Sequence, residues 1–394
     1  MPDTFSSRVS GTGGSYRWAV LGAGTFAQTT YSAIWYGIAV MAPALRHEYG
    51  LSLGQTGVLI SASLVGSVVT LIPWGFATDR FGERAVLVCG LGVCGAALVG
   101  AAAVHGFWPL AALLSTAGAL GASVQSASGR AVMHWFPPSQ RGLALGLRQT
   151  AIPLSGFVIS LALPPVEHAG GVAWGFAAMG LACIAGAVAG GLALREGPLA
   201  ERVRPGAPAP LRDRRLWTLS VGSALVIAPQ LSVGGFLVVF LHDRRGLTTS
   251  HAAAVLAVTQ ALAVGGRIAA GRWSDVVASR VGPLRRIAIG GAVLVGLSGA
   301  LLTAPLGLLV PVLVAAGVVS MSWNSLSFAA AVEIAGGGRS GLAIGLQQTL
   351  LNLPGSVYPA LFGTLVATTS WRLAFFAVAV FPVVGWGVLK ELDA

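Results

Sequence analysis

The chain has 394 residues, of which 55% are hydrophobic and only 9% are charged. Soluble domains carry about 25% charged residues, so this composition excludes a water-soluble globular protein and indicates one covered by lipid. The formal net charge of +11 would suit a nucleic-acid partner, but the placement of the arginines, given below, argues against one. The three cysteines lie in apolar runs and predict neither a disulfide framework nor a metal site.

The chain contains twelve apolar runs of the length that a bilayer-spanning helix needs, which is about 20 residues. Six runs precede the polar interval "REGPLAERVRPGAPAPLRDRR" and six follow it. The fold predicted is an all-α membrane protein with six-helix bundles at 17–194 and 216–390, a linker at 195–215 and cytoplasmic tails at 1–16 and 391–394. The predicted spans lie near 17–41, 54–78, 84–105, 107–134, 142–165, 171–194, 216–241, 250–273, 286–305, 307–332, 341–366 and 371–390.

The basic residues are distributed unequally between the loops on the two sides of the membrane. With both termini inside, only Arg46, Arg244, Arg245 and Arg372 fall in outer loops, and most other basic residues fall in inner segments. This is the positive-inside pattern. It predicts a multi-pass protein of the cytoplasmic (inner) membrane with both termini cytoplasmic, and it explains the net charge without nucleic acid.

The two halves of the chain repeat each other. "GLALGLRQT" at 142–150 returns as "GLAIGLQQT" at 341–349, a shift of 199 residues. Gly75 and Asp79 of "GFATDRFGER" correspond to Gly271 and Asp275 at a shift of 196. Two halves with the same order of spans predict a duplicated six-helix unit, and parallel repeats of this kind occur in transporters.

The loop "GFATDRFGER" fits the G-x-x-x-D-R-x-G-x-R motif between helices 2 and 3 of the major facilitator superfamily, which the chain resembles over residues 17–390. The resemblance implies two bundles that rock around a central cavity, in a protein that is a monomer and needs no cofactor. It also implies that the loop aspartate bonds across helices and stabilises one conformation. The residues predicted to act on conformation are Gly75, Asp79, Arg80, Gly82, Arg84, Arg130 and Asp275.

Three arginines lie within predicted spans and several residues away from their ends: Arg130, Arg148 and Arg267. An arginine at a helix centre costs about 2.5–3.5 kcal/mol on insertion scales, so each one needs a reason. All the acidic residues lie near loops or helix ends. Buried arginines without carboxylates favour an anionic ligand, because guanidinium is always charged and binds carboxylate or phosphate through two parallel hydrogen bonds. The alternative for each is a structural role, which for Arg130 includes pairing with Asp79.

Arg267 in "GRIAAGRWSD" is similar to the helix-8 arginine of monocarboxylate carriers and oxalate/formate antiporters, which contacts a substrate carboxylate. Two departures separate this chain from them: position 263 is Ala where monocarboxylate carriers have an acid, and helix 11 carries Gln347 where oxalate antiporters have a basic residue. The stretch "WFPPSQRGLALGLRQTAIPLSG" resembles cyanate- and nitrate-type permeases. In the superfamily helices 5 and 8 are neighbours, which implies that Arg148 and Arg267 face each other.

The predicted spans also carry polar and aromatic side chains at depths suited to a cavity lining. The superfamily lines its cavity with helices 1, 4, 7 and 10, and the alternative role is hydrogen bonding between helices. Pro153 and Pro354 are predicted to break helices 5 and 11. The residues predicted to bind substrate are Tyr31, Trp35, Gln125, Arg148, Arg267, Asn324 and Gln347.

The resulting hypothesis is a secondary active transporter that moves a small anion, either a monocarboxylate or an inorganic anion, by alternating access. The alternative is an efflux pump for neutral or amphipathic compounds, which the apolar and aromatic cavity would suit. A membrane receptor on the same fold has less support, since no signalling domain is present in the sequence. An enzyme is not expected, because the sequence shows no nucleophile–base pair, metal-ligand set or phosphate-binding loop.

Overall fold

The computed structural model describes residues 13–51, 53–199, 210–247, 249–336 and 339–392. Within these ranges the regular structure is helical, as the sequence predicts. The first part of the predicted tail, residues 1–12, the centre of the predicted linker, residues 200–209, and the terminal residues 393–394 lie outside the described residues.

Eight helices form the first half of the chain and eight form the second. The first eight are α1 (Gly13–Val40), α2 (Ala42–Tyr49), α3 (Leu53–Phe81), α4 (Glu83–Ala101), α5 (Phe107–Gly121), α6 (Ser123–Trp135), α7 (Pro138–Gln149) and α8 (Ala151–Ala193). The second eight are α9 (Arg214–Val226), α10 (Ala228–Arg245), α11 (Thr249–Val276), α12 (Val281–Ala300), α13 (Leu306–Ser320), α14 (Asn324–Ala335), α15 (Ser340–Thr368) and α16 (Trp371–Leu389).

Nine stretches of the described chain are long and apolar enough to cross a membrane. One of them, 138–193, has 56 residues and covers two predicted spans. Non-helical backbone at Gly170 and Gly171 divides α8 there, and Gly171 has φ +72°. The helices α1 and α15 have 28 and 29 residues and are also long enough to span a bilayer.

Four predicted spans are each divided into two helices: span 4 at Ala122, span 5 at Thr150, span 7 at Ile227 and span 10 at 321–323. In span 5 the cause is Pro153, which has no N–H to donate to the carbonyl of Gln149, the last residue of α7. The predicted break in span 11 is wrong, because α15 continues past Pro354. A membrane helix tolerates the one hydrogen bond that a proline removes.

The helix boundaries confirm the internal repeat. The helices α5 and α13 both have 15 residues, and their first residues, Phe107 and Leu306, are 199 positions apart. The breaks that follow them, at Ala122 and at 321–323, are also equivalent at this shift. At this position the duplication extends to the interruption of the helix, whereas the breaks at Thr150 and Ile227 have no counterpart in the continuous helices α15 and α1.

The chain divides into two compact units. Unit 1 comprises residues 1–138, 147–210 and 335–349, and unit 2 comprises residues 139–146, 211–334 and 350–394. The first ten residues of α15 thus group with unit 1, and most of α7 groups with unit 2. The bundles predicted at 17–194 and 216–390 differ from these units, since they assign all of α7 to the first bundle and all of α15 to the second.

Each unit has its own apolar core. In unit 1, α1, α4 and α8 contribute the fully buried Ile34, Leu91 and Phe176. In unit 2, Phe240 lies 5.1 Å from Trp371 and 5.8 Å from Phe375, measured between ring centroids. These ring contacts join α10 to α16 and have the tilted or edge geometry that aromatic pairs prefer.

Candidate functional site

The most unusual buried group in unit 1 is the guanidinium of Arg148, near the end of α7. Arg148 is only 1% exposed. Its Nε donates to Ser128 Oγ at 2.8 Å, and its Nη2 donates to the Gln125 carbonyl at 2.9 Å. Nη2 also reaches Gln125 Oε1 at 3.2 Å and Gln28 Oε1 at 3.1 Å, and Nη1 donates to Gln149 Oε1 at 3.1 Å. Helices α1, α6 and α7 thus converge on one cation.

The local sequence explains how these acceptors come to face the guanidinium. Gln125 and Ser128 are three residues apart on α6, so they lie on the same face of that helix. Ser128 donates its hydroxyl to the Val124 carbonyl at 2.6 Å, which leaves its oxygen to accept from Arg148. Both α6 and α7 are short helices bounded by the breaks in spans 4 and 5.

Among the described residues, the acceptors around Arg148 are neutral amides, a hydroxyl and a backbone carbonyl. None of the ion pairs found among the described residues includes Arg148, whereas Arg130 and Arg280 each pair with a carboxylate. The hydrogen bonds satisfy N–H groups of the guanidinium but do not neutralise its charge. A buried charge without a counter-ion is costly. The arrangement therefore favours an anionic ligand beside Arg148.

The sequence predicts Arg148 and Gln125 as site residues, and the structure adds Gln28, Ser128 and Gln149. The signal for Ser128 and Gln149 was local, since Ser128 follows Gln125 by one helical turn and Gln149 adjoins Arg148. The signal for Gln28 was only its polarity within an apolar run. Its distance of 120 residues from Arg148 in the sequence hides the contact.

Tyr31 and Trp35 lie on α1 in unit 1. The Tyr31 hydroxyl is 2.5 Å from Ser67 Oγ and donates to the Gly118 carbonyl at 3.2 Å. These bonds tie α1 to α3 and α5, so the hydroxyl of Tyr31 is engaged in helix packing. The Trp35 ring lies edge-on to Tyr31, with ring centroids 5.3 Å apart, and its buried Nε1 has no hydrogen-bond partner.

The remaining predicted substrate residues are all buried. In unit 2, Arg267 Nε donates to the Met321 carbonyl at 2.9 Å, at the point where α13 ends. Asn324 begins α14, and its Oδ1 has no hydrogen-bond partner. Gln347 lies on the part of α15 that belongs to unit 1. Arg267 thus satisfies a backbone carbonyl freed by the helix break, which is a structural role whatever else it does.

The loop aspartate of the repeat has a defined partner in each unit. In unit 1, Asp79 accepts from the backbone N–H groups of Gly341 and Leu342 at 2.8 and 2.9 Å. These amides belong to the first turn of α15, where a negative charge is stabilising. The Arg130 Nε lies 3.4 Å from Asp79 Oδ1. Gly75 permits the approach, because a Cβ there would lie 2.5 Å from the Gly341 carbonyl oxygen.

Unit 2 contains the equivalent arrangement. Asp275 accepts from the backbone N–H groups of Gly142 and Leu143 at 3.0 and 2.9 Å. These two residues are the repeat counterparts of Gly341 and Leu342 at the shift of 199. The cation beside Asp275 is Arg280, which also donates to Glu333 Oε1 at 2.9 Å.

The other predicted conformational residues have different environments. Gly82 has φ +84°, a left-handed conformation that suits glycine, and it turns the chain from α3 into α4. Arg80 and Arg84 are exposed and take part in none of the ion pairs of the described residues. The cation beside Asp79 is therefore Arg130 of α6, 51 residues further along the chain, and the two arginines of the loop itself are not its ion-pair partners.

We expect Asp79→Asn to destabilise the protein by about 1.5–3 kcal/mol, the contribution of a charge-assisted hydrogen bond. The substitution leaves an oxygen to accept one backbone N–H group but removes the charge from the first turn of α15 and from Arg130. Thermal unfolding in detergent measures the effect. Asp243→Asn, on an exposed aspartate beside His242, should change little. Equal effects of the two substitutions would contradict a stabilising role for Asp79.

The comparisons with known proteins agree with this architecture. A family model described as Major Facilitator Superfamily matches residues 24–359. An uncharacterized MFS-type transporter of Mycobacterium tuberculosis (strain CDC 1551 / Oshkosh) is 34% identical to this chain. The match covers 94% of this chain and 84% of the relative's length. A probable sulfoacetate transporter of Cupriavidus necator is 26% identical over 90% of this chain and 88% of its own.

Solved transporters share the fold at low sequence identity. The proton:xylose symporter matches with a TM-score of 0.74 at 14% identity, covering 96% of both chains. The human organic anion transporter matches with a TM-score of 0.71 at 16% identity, covering 95% of this chain and 99% of its own. The twelve-span repeat, the paired aspartates and these matches lead to one conclusion: the chain is a multi-pass membrane transporter that belongs to the major facilitator superfamily.

Proposed function

We propose that this transporter moves a small anion, a monocarboxylate or an inorganic anion, across the cytoplasmic membrane as a secondary active transporter. The observation that carries the proposal is the buried guanidinium of Arg148, whose hydrogen-bond partners among the described residues are all uncharged. An anion that enters this site supplies the missing counter-charge and accepts charge-assisted hydrogen bonds. In the proposed topology both termini are cytoplasmic.

Two aspects of the site support a small anion that places one negatively charged group beside Arg148. Among the described residues of unit 1, Arg148 is a buried arginine without a carboxylate partner, whereas Arg130 is paired with Asp79. The amides of Gln28, Gln125 and Gln149 can exchange their bonds with Arg148 for bonds to a ligand, since an amide both donates and accepts. The similarity to a probable sulfoacetate transporter over 90% of the chain supports an organic acid among the candidates.

Within unit 2, Arg267 is the second proposed anion contact, and Asn324 is the proposed polar neighbour. Asn324 Oδ1 is buried without a hydrogen-bond partner, which is unfavourable for a polar atom. A ligand or a water molecule that donates a hydrogen bond to this oxygen would remove that cost. In this scheme alternating access depends on the paired aspartates, since each stabilises the start of a helix that a conformational change would move.

An efflux pump for neutral or amphipathic compounds is the second candidate. The edge-on pair of Tyr31 and Trp35, with its unpartnered indole N–H, favours an aromatic or amphipathic ligand. Under this alternative Arg148 would serve the packing of α1, α6 and α7.

Thermal unfolding of the purified transporter against a ligand panel separates the two candidates. The panel pairs small anions, including sulfoacetate, acetate and nitrate, with neutral amides of similar shape and with amphipathic cations. A ligand at a hundredfold its dissociation constant stabilises the folded state by about 2.7 kcal/mol. Stabilisation by an anion and not by its neutral analogue supports the anion site. Stabilisation by hydrophobic compounds alone would replace it with the efflux function.

A further inference from the structure

Unit 1 contains a groove of about 1050 Å³ between α4 and the second half of α8, and the proposed anion site at Arg148 is not part of it. Both helices belong to stretches that are long and apolar enough to cross a membrane. The groove is apolar along its length, with walls and floor formed by Val88, Cys89, Gly92, Ala187, Val188 and Leu192.

Small residues on the two helices create the groove. A Cβ at Gly92 would lie 3.9 Å from the Cβ of Ala187. Because Gly92 has no side chain, the surface between α4 and α8 is recessed at this point. The walls on either side are open: Val188 is 56% exposed and Leu192 is 73% exposed. Exposed apolar side chains on a membrane-spanning helix contact lipid chains. The chemistry of the groove therefore suits an acyl chain.

The end of the groove is positively charged. Arg80 from the last turn of α3, Arg84 from the first turn of α4 and Arg195 just after α8 all line it, and all three are exposed. None of them belongs to an ion pair among the described residues, in contrast to the buried acids Asp79 and Glu83, which face Arg130 and His134.

Two further features add to the positive potential at this end. Helix α4 begins after Gly82, which provides no side-chain cap, so the first amides of the helix contribute partial positive charge. The exposed carboxylate at this end is that of Glu196, and it offsets only one of the three arginines. A Lys or Arg near a membrane surface attracts anionic lipid by about 1 kcal/mol, which is roughly a fivefold preference per residue.

We propose that this groove binds one anionic phospholipid, with its phosphate at Arg84 and Arg195 and one acyl chain along α4 and α8. Arg195 and Arg80 contact the aromatic rings of Tyr16 and Phe81, and an anionic headgroup such as that of phosphatidylglycerol supplies the negative charge that these contacts lack. The quaternary ammonium of phosphatidylcholine opposes these arginines. The site lies within unit 1, does not include Arg148, and its test is independent of the transported substrate.

Cys89 provides a reporter inside the groove, because it is the exposed cysteine, whereas Cys94 and Cys183 are buried. A bimane fluorophore on Cys89 is reconstituted in nanodiscs of mixed phosphatidylglycerol and phosphatidylcholine, with bromine on the acyl chains of one lipid at a time. Bromine quenches bimane only at short range, so the ratio of the two quenching signals reports which lipid occupies the groove. We expect brominated phosphatidylglycerol to be enriched at least ~5-fold over its bulk fraction.

The double variant Arg84→Gln/Arg195→Gln should reduce this ratio to the bulk composition. Arg212→Gln/Arg214→Gln removes the same charge from exposed positions outside the groove and should leave the ratio unchanged. Equal quenching by the two lipids, or an equal ratio in both double variants, would overturn the proposal. So would loss of the preference on adding millimolar glycerol phosphate, since that result would indicate a site for a soluble anion.

Because the label itself occupies part of the groove, native mass spectrometry of the unlabelled protein provides a second measurement. Phosphatidylglycerol should remain bound to the native chain after delipidation and should be lost in Arg84→Gln/Arg195→Gln. Retention of both lipids in equal amounts would contradict a selective site.

Discussion

Replacing Arg148 with glutamine is expected to weaken anion binding at least ~30-fold without lowering the stability of the ligand-free transporter. Truncating one partner of a buried charge pair typically costs 2–5 kcal/mol in binding. In the ligand-free state the substitution removes a buried charge that no carboxylate compensates, while the new amide still donates to Ser128 or Gln125. Thermal unfolding with and without the stabilising anion measures both quantities.

This combination of results separates a binding role from a structural role for Arg148. If the guanidinium served only the packing of α1, α6 and α7, Arg148→Gln would lower the unfolding temperature of the ligand-free protein and leave the anion-dependent shift in place. Arg148→Lys retains the charge but loses the forked geometry, so its affinity should be intermediate. Arg372→Gln, at an exposed position at the start of α16, is the matched control and should alter neither quantity.

The second large effect concerns the contact between α3 and α5 in unit 1. We expect Gly118→Ala to destabilise the protein by about 1–3 kcal/mol through overpacking. A Cβ at Gly118 would overlap the Ser63 carbonyl oxygen, and a Cβ at Gly66 would overlap the Ser115 carbonyl oxygen. Small residues three positions apart, Ser63 and Gly66 on α3 and Ser115 and Gly118 on α5, allow the two backbones to approach closely, as is common between membrane helices. The Gly118 carbonyl also accepts bonds from Tyr31 and Ser67.

Gly22→Ala is the control for this substitution. Gly22 lies within α1, and a Cβ there would meet no atom within 4 Å. Alanine is preferred to glycine inside a helix by roughly 0.5–1 kcal/mol, so this variant should be as stable as the native chain or slightly more stable. The unfolding temperature and the yield of monodisperse protein in detergent are measured for Gly118→Ala and Gly22→Ala. Equal losses in both variants would contradict the close approach of α3 and α5.

The sequence predicts the helices well because the bilayer imposes one requirement, a long apolar run, that can be counted. It does not predict the break at Ala122, since no proline stands near that position. At Ile227 the sequence does carry a cause, because Pro229, at the start of α10, has no N–H to donate to the carbonyl of Leu225. The short helix α2 is missed for a different reason. Its segment "APALRHEY" is polar and begins where the first span ends, so hydropathy gives no signal for it.

The candidate site is predictable in part for similar reasons. A charge inside an apolar run identifies Arg148 and Arg130 from composition alone, and the loop motif identifies Asp79. The hydrogen-bond partners of these residues are set by tertiary structure, because they lie far away along the chain. Asp79 bonds to amides 262 and 263 residues away, and Arg148 bonds to Gln28 at 120 residues. The repeat relates the partners of the two aspartates. Gly341 and Leu342, which Asp79 contacts, correspond to Gly142 and Leu143, which Asp275 contacts.

The measurement that tests the proposed function most directly is uptake into proteoliposomes of the anion that gives the largest thermal shift. The native chain and Arg148→Gln are reconstituted at equal density, and labelled anion is exchanged against unlabelled anion inside. We predict saturable exchange by the native chain and the background of empty liposomes for Arg148→Gln. Exchange by Arg148→Gln at the native rate and affinity would contradict the assignment of Arg148 as the anion-binding group.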